Sequence, residues 1–97
     1  MVRTRTSQSR HDRQVQIEAN RYSRNGFKVW ADIKGWPQPD TIGGYRPDVI
    51  AYNNGNYTVI EVETTDSVNI ARDIAQQRAF KAWASRKSTR HYRRIVV

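Results

Sequence analysis

The sequence predicts an α/β domain with the element order helix, strand, strand, strand, helix, strand (α-β-β-β-α-β). Three observations predict it. Residues 11–25 carry apolar side chains at helical spacing, and residues 46–63 contain two apolar runs around an Asn-Gly pair. Residues 69–87 are rich in Ala, Gln, Arg and Lys, which favour a helix. A chain of 97 residues is long enough for one domain with a modest core.

The composition indicates a folded and strongly basic protein. Its 17 Lys and Arg residues outnumber 9 Asp and Glu, which gives a net charge of +8. Such an excess favours a polyanionic partner, with nucleic acid first and an anionic membrane second. The absence of cysteine excludes disulfides, zinc-thiolate sites and a thiol nucleophile. No segment resembles a signal peptide or a membrane span, so we expect a cytoplasmic protein, in the host cytoplasm if a phage encodes it.

The N-terminal part divides into two patterns. Residues 1–10 are rich in Arg, Ser and Thr without apolar periodicity, which predicts a flexible basic arm before a single domain at 11–97. A helix is predicted from His11, and Asn25-Gly26 is a typical C-terminal stop. One face of this helix carries Val15, Glu18, Ala19 and Tyr22.

The remaining elements follow from local patterns. Apolar residues alternate over 27–34, which predicts a strand. Two prolines and three glycines make 35–46 a loop, and a loop of this length in a small domain favours a functional role. The second helix is predicted over about 69–87 with its cap at Ser67 or Asn69, and the terminal RRIVV predicts a last strand.

The Asn54-Gly55 pair predicts a type I′ turn, because both central positions of that turn need positive φ. Antiparallel pairing outward from this turn places Asp48 opposite Glu61. One face of the hairpin then carries Asp48, Ile50, Tyr52, Tyr57, Val59, Glu61 and Glu63. The other face carries Val49, Ala51, Thr58, Ile60 and Val62. Apolar residues on both faces predict two central strands that are covered on both sides.

The three acids of the hairpin need compensation. Directly opposed carboxylates destabilise a sheet, and uncompensated charges become costly when they are partly buried. A hard divalent cation, which prefers carboxylate oxygens, would offset this cost. The alternative is that the acids pair with basic side chains on a solvated face, and a bulge in the hairpin would change the register.

The strings IGGYRPDVIA and VIEVET, with twelve residues between Asp48 and Glu61, resemble the motif of the PD-(D/E)xK nuclease superfamily. The resemblance is to small archaeal and phage nucleases of the Holliday-junction-resolvase type, and it covers residues 12–97. It implies a restriction-endonuclease-like mixed sheet flanked by two helices. It also implies a Mg²⁺-dependent endonuclease, with Mn²⁺ as a substitute, in which Asp48, Glu61 and the backbone carbonyl of Val62 bind the metal.

The sequence departs from this family at Glu63, where lysine is usual. A glutamate there could accept a proton from the attacking water or help to hold a second cation. Family members often add an acid from the first helix, and Glu18 fits because it lies on the apolar stripe, with Asp12 as the alternative. Gln76, one turn before Phe80, resembles a glutamine that orients water or phosphate in related nucleases, and a surface glutamine is the alternative.

Basic and aromatic residues are the expected DNA contacts. The predicted phosphate contacts are Arg3, Arg5, Arg10, Arg46, Arg90, Arg93 and Arg94, and Trp36 in the loop is expected to stack on bases. Phosphate contacts favour structure-selective cutting of branched DNA, and paired cuts suggest a homodimer. The alternative is a non-catalytic DNA-binding module that retains the fold. His11 and His91 lack partners at metal-ligand spacing and are interpreted as ordinary polar residues, and a phosphate contact is the alternative for His91, which lies near Arg90, Arg93 and Arg94.

Overall fold

The computed structural model of the chain describes residues 4–68 and 70–97. Its elements are α1 (Arg5–Arg24), β1 (Lys28–Ala31), β2 (Val49–Asn53), β3 (Asn56–Glu63), α2 (Ala71–Ser85) and β4 (Arg90–Val96). The strands form one sheet in the order β1-β2-β3-β4, in which only the β3–β4 pair is parallel. The predicted element order and the mixed sheet with two helices are therefore confirmed. Neither helix in these ranges is long and apolar enough to cross a membrane.

The first helix begins at Arg5, so the predicted flexible arm is wrong for residues 5–10. The side chain of Thr4 caps the helix by accepting a hydrogen bond from the Ser7 amide at 3.1 Å. Ser7 is buried, and its hydroxyl donates to Asp66 Oδ2 at 2.8 Å. Polar residues occupy the buried positions of these first turns, so no apolar period marks them in the sequence. Residues 1–3 lie outside the described ranges.

The hairpin has the predicted turn and the predicted register. Asn54 and Gly55 have φ values of 50° and 81°, as a type I′ turn requires. Pairing runs from Asn53 opposite Asn56 to Val49 opposite Ile60 without a bulge. The stop of α1 is also as predicted, with Asn25 as the C-cap residue and Gly26 at a φ of 84°.

Each face of the sheet packs on its own helix. On one face α1 contributes Val15 and Ala19 to a core that includes Val49, Ala51, Ile60 and Val62. On the other face α2 contributes Phe80, which packs on Ile50 and Val59. Because side chains alternate along a strand, Glu61 and Glu63 share the α2 face with Val59. The two-sided covering predicted for the hairpin is confirmed.

Two boundaries differ from the predictions. β1 ends at Ala31 rather than near residue 34, since a turn follows in which the Trp36 amide donates to the Ile33 carbonyl. α2 begins after Ile70, which has no side-chain cap, so the predicted cap at Ser67 is wrong. The Ser67 hydroxyl donates instead to Glu63 Oε2 at 2.6 Å. Asn69, the other predicted cap, lies outside the described residues.

Asp66 links the start of α1 to the connection after β3, and its removal should lower stability in a pH-dependent way. Hydrogen bonds from the hydroxyls of Thr64 and then Ser7 lower its pKa from 3.8 to about 2. A carboxyl group whose pKa is lowered by folding stabilises the fold at pH values above its ordinary pKa. This contribution is lost as the pH falls through the pKa of the folded state. We expect Asp66→Asn to lower the melting temperature at neutral pH, with the gap to wild type closing between pH 3.8 and about 2.

The matched control for this measurement is Asp40→Asn, which changes an exposed aspartate in the long loop. It should leave the melting temperature unchanged at every pH. A gap for Asp66→Asn that stays constant across the acid range would contradict the assigned hydrogen bonds.

Candidate functional site

A cleft opens between the sheet and the start of α2, at the C-terminal end of β3. Four acids contribute to its lining, namely Asp48, Glu61, Glu63 and Asp73. The cleft is also lined by His11, Arg46, Arg72 and Gln76. The structure therefore brings together all three hairpin acids and the predicted glutamine of the second helix.

Asp48 and Glu61 are joined by reciprocal hydrogen bonds at the point where the backbone ladder of β2 and β3 ends. The Asp48 amide donates to Glu61 Oε1 at 2.9 Å, and the Val62 amide donates to Asp48 Oδ2 at 2.8 Å. Side chains here replace the backbone pairing that continues along the rest of the hairpin. The predicted neighbourhood of Asp48 and Glu61 follows from the register and holds in the structure.

Glu61 is a buried carboxyl group with an unfavourable electrostatic environment. Its exposed fraction is 4%, and burial raises its pKa to about 10, with the nearby charges of Asp48 and Glu63 as smaller causes. Within residues 4–68 and 70–97, no salt bridge joins Glu61 to a lysine or an arginine. The ionised form of Glu61 therefore needs a positive charge from another source.

The cleft offers a divalent cation a small set of oxygen donors. Among the described residues, no three side chains of the His, Asp or Glu type are grouped so that they could hold a metal ion. Of the predicted metal ligands, the structure brings together two carboxylates, Asp48 and Glu61. The Val62 carbonyl stays a predicted third ligand. An open site of this kind suits Mg²⁺, which keeps several water molecules when proteins bind it.

Glu63, the residue at which the sequence motif leads us to expect lysine, lines the same cleft. Its exposed fraction is 4%, and Ser67 holds its Oε2 atom through a hydrogen bond of 2.6 Å. The seryl contact fixes one carboxylate oxygen at the wall of the cleft. Glu63 therefore lies at the wall of the cleft, on the same face of β3 as Glu61.

The structure does not bring Glu18 to the cleft. Its two carboxylate oxygens contact Arg93 at 3.2 Å and Arg21 at 3.3 Å, and its exposed side-chain fraction is 1%. This network lies on the face that α1 covers, whereas the cleft lies on the α2 side of the sheet. The α1 residue that reaches the cleft is His11, whose Nε2 atom lies 3.1 Å from Asp48 Oδ1.

Two residues of the cleft were missed by sequence reasoning, apart from His11. Asp73 is buried on α2 and accepts a hydrogen bond of 2.7 Å from Arg94 Nη2. The spacing of Asp73, Gln76 and Phe80 puts them on one helix face, and this was the signal available in the sequence. Arg72 lines the mouth of the cleft, with its guanidinium 5.5 Å from the ring centre of Tyr45.

The arginines among the predicted DNA contacts fall into two groups. Arg5 and Arg10 are exposed on α1, Arg46 lines the cleft, and Arg3 lies outside the described residues. The three C-terminal arginines have partners inside the domain, which are Trp83 for Arg90, Glu18 for Arg93 and Asp73 for Arg94. Trp36 is half-buried and packs against the α1 core. Their roles in DNA binding stay predictions.

A family model described as AHJR-like, of the restriction-endonuclease (REase) type, matches residues 2–84. The match covers α1, the first three strands and nearly all of α2, and it ends before β4. No curated protein matches the chain. The family match supports a nuclease, and it includes every acid that lines the cleft.

The raised pKa of Glu61 predicts how the metal-free protein responds to pH. A carboxyl group whose pKa is raised by folding lowers stability as the pH rises above its ordinary pKa, because the unfolded state loses the proton while the folded state keeps it. The melting temperature of the wild type relative to Glu61→Gln should therefore fall as the pH rises from 4.5 towards about 10.

Glu61→Gln is a suitable reference because the amide oxygen can still accept from the Asp48 amide. Mg²⁺ should raise the melting temperature of the wild type at neutral pH more than that of the variant. A difference between the two proteins that is independent of pH would show that Glu61 ionises normally.

Proposed function

Since the chain belongs to the AHJR-like family of restriction-endonuclease-like proteins, we propose that it is a metal-dependent DNA endonuclease that cuts branched or junction DNA. The observation that carries this proposal is the pair of carboxylates Asp48 and Glu61 at one end of the central hairpin. They are linked through backbone amides, and no arginine or lysine among the described residues forms a salt bridge with Glu61.

In the proposed mechanism the residues of the cleft have three roles, which are metal binding, proton transfer and orientation of the water or phosphate. Asp48, Glu61 and the Val62 carbonyl would hold Mg²⁺, or Mn²⁺ in its place. When bound, such an ion supplies Lewis-acid stabilisation of phosphate charge and a lowered pKa for a bound water. Glu63, held by Ser67, accepts the proton of the attacking water. Gln76 orients the water or the phosphate from the α2 side of the cleft.

The charges around the cleft support branched DNA as the substrate class. Arg46 and Arg72 lie at the cleft lining and can contact phosphates on either side of the scissile bond. Arg5 and Arg10 extend the basic surface along α1. Phosphate contacts give affinity without reading bases, so a DNA branch rather than a long sequence would select the cutting position. Paired cuts on two strands need two such sites, which supports a homodimer.

The second candidate function is a DNA-binding module that keeps the nuclease fold without activity. It is favoured by Glu63, because the position carries an acid where family members usually have lysine. The deciding experiment is cleavage of four-way junction, flap, nicked, single-stranded and linear duplex DNA with Mg²⁺ and with Mn²⁺. Cleavage of branched substrates supports the nuclease, and metal-independent binding without cleavage of any substrate supports the module.

Loss of either proposed metal ligand should abolish cleavage and leave the affinity for DNA nearly unchanged. We expect Asp48→Asn and Glu61→Gln to slow single-turnover cleavage by at least about 100-fold, since even residues that only support a metal ligand cost 10–100-fold. The amide oxygen of Asn can still accept from the Val62 amide, so the fold is preserved. DNA affinity, measured by fluorescence anisotropy without a divalent ion, should stay within a few fold of wild type. Cutting at the wild-type rate would show that the site is misassigned.

The arginines of the cleft should make the DNA contacts that depend on salt. Arg46→Gln and Arg72→Gln should each reduce the slope of log affinity against log salt by about one, as expected for one lost phosphate contact. Arg24→Gln at the far end of α1 is the matched control and should keep the wild-type slope. Slopes that are equal in all four proteins would remove Arg46 and Arg72 from the binding surface.

A further inference from the structure

We propose that His11 is a positioning residue for the Asp48 carboxylate, and that Asp12 positions His11 in turn. The inference rests on the proposed function, because it concerns the orientation of a proposed metal ligand. It assigns a role to a histidine on α1, an element that otherwise supports the opposite face of the sheet.

Asp48 is held at both of its carboxylate oxygens, from two different elements. His11 Nε2 lies 3.1 Å from Oδ1, and the Val62 amide donates to Oδ2 at 2.8 Å. One contact comes from α1 and the other from β3, so the carboxylate cannot turn about its terminal bond without breaking one of them. The pair of contacts sets the plane of Asp48 before any ligand arrives.

His11 is fixed in the same manner. Its Nδ1 atom lies 3.0 Å from Asp12 Oδ1, and that oxygen also accepts a hydrogen bond of 2.8 Å from Gln8 Nε2. The side chain of His11 is 8% exposed, whereas that of Asp12 is 51% exposed. A chain of hydrogen bonds thus runs from the surface of α1 to the buried carboxylate. Both ring nitrogens are engaged, so the imidazole has one orientation.

Because His11 lies on α1, the position of α1 on the sheet determines the contact that orients Asp48. Partners that hydrogen-bond a metal ligand orient it, and their loss costs about 10–100-fold in metal affinity or activity. The contact also explains why a polar residue occupies a buried position on the helix. A leucine there would fill space but would leave Asp48 Oδ1 without its α1 contact.

The test compares His11→Leu with His11→Gln, whose amide nitrogen can take the place of Nε2 as a donor. Mn²⁺ affinity is measured by calorimetry without DNA, and single-turnover cleavage of a four-way junction is measured separately. We expect His11→Leu to lose about 10–100-fold in Mn²⁺ affinity and His11→Gln to retain most of it. His91→Leu, at the exposed histidine beside Asn56, is the matched control and should equal wild type.

Asp12→Ala provides a second variant at a half-exposed position, and it should shift Mn²⁺ affinity in the same direction as His11→Leu but less. Wild-type Mn²⁺ affinity in His11→Leu overturns the proposal, and so does an equal loss in His11→Leu and His11→Gln. If His11→Leu fails to fold, wild-type affinity in Asp12→Ala overturns it. A wild-type protein that neither binds Mn²⁺ nor cuts DNA identifies failure of the proposed function instead.

Discussion

The register of the β2–β3 hairpin is the constraint on which the rest of the structure depends. Positive φ at Asn54 and Gly55 sets a two-residue turn, and every pairing along the hairpin follows from it. A shift of one residue would exchange the two faces of the moved strand. Glu61 would then enter the apolar α1 core, and Val62 would line the cleft. The turn therefore decides both which residues form the core and which acids meet at the site.

The same register brings together acids that form the candidate site but lower the stability of the fold. Placing Asp48, Glu61 and Glu63 at one edge concentrates negative charge in a chain whose net charge is +8. Arg93 pairs with Glu18 and Arg94 with Asp73, and neither arginine forms a salt bridge with Glu61. The cleft thus keeps an unfavourable group, Glu61, that a bound cation would stabilise. In a site arranged in this way, binding of a metal ion would raise the stability of the fold.

Local signals in the sequence predicted the parts of the fold that depend on local chemistry. The hairpin, its faces and the stop of α1 follow from turn residues and from period-two alternation, and all of them are present in the structure. The start of α1 was missed because Ser7 and His11 are polar residues at buried positions. The partners of Arg93 and Arg94 depend on the parallel pairing of β3 with β4 and on which face each residue takes. No local pattern specifies that pairing.

Apolar periodicity predicted that Glu18 would reach the cleft, whereas the structure places His11 there. The topology of the sheet explains this difference. Both residues lie on the buried stripe of α1, but seven residues separate them by about 10 Å along the helix, so only one end reaches the cleft. The chain reverses direction at Gly26 between α1 and β1, so the two elements run antiparallel to each other. β1 is antiparallel to β2, and β2 to β3, so β1 and β3 point the same way. The N-terminal half of α1 must then lie over the end of β3 that carries the acids, which places His11 at the cleft and leaves Glu18 farther along the helix, where it pairs with Arg93.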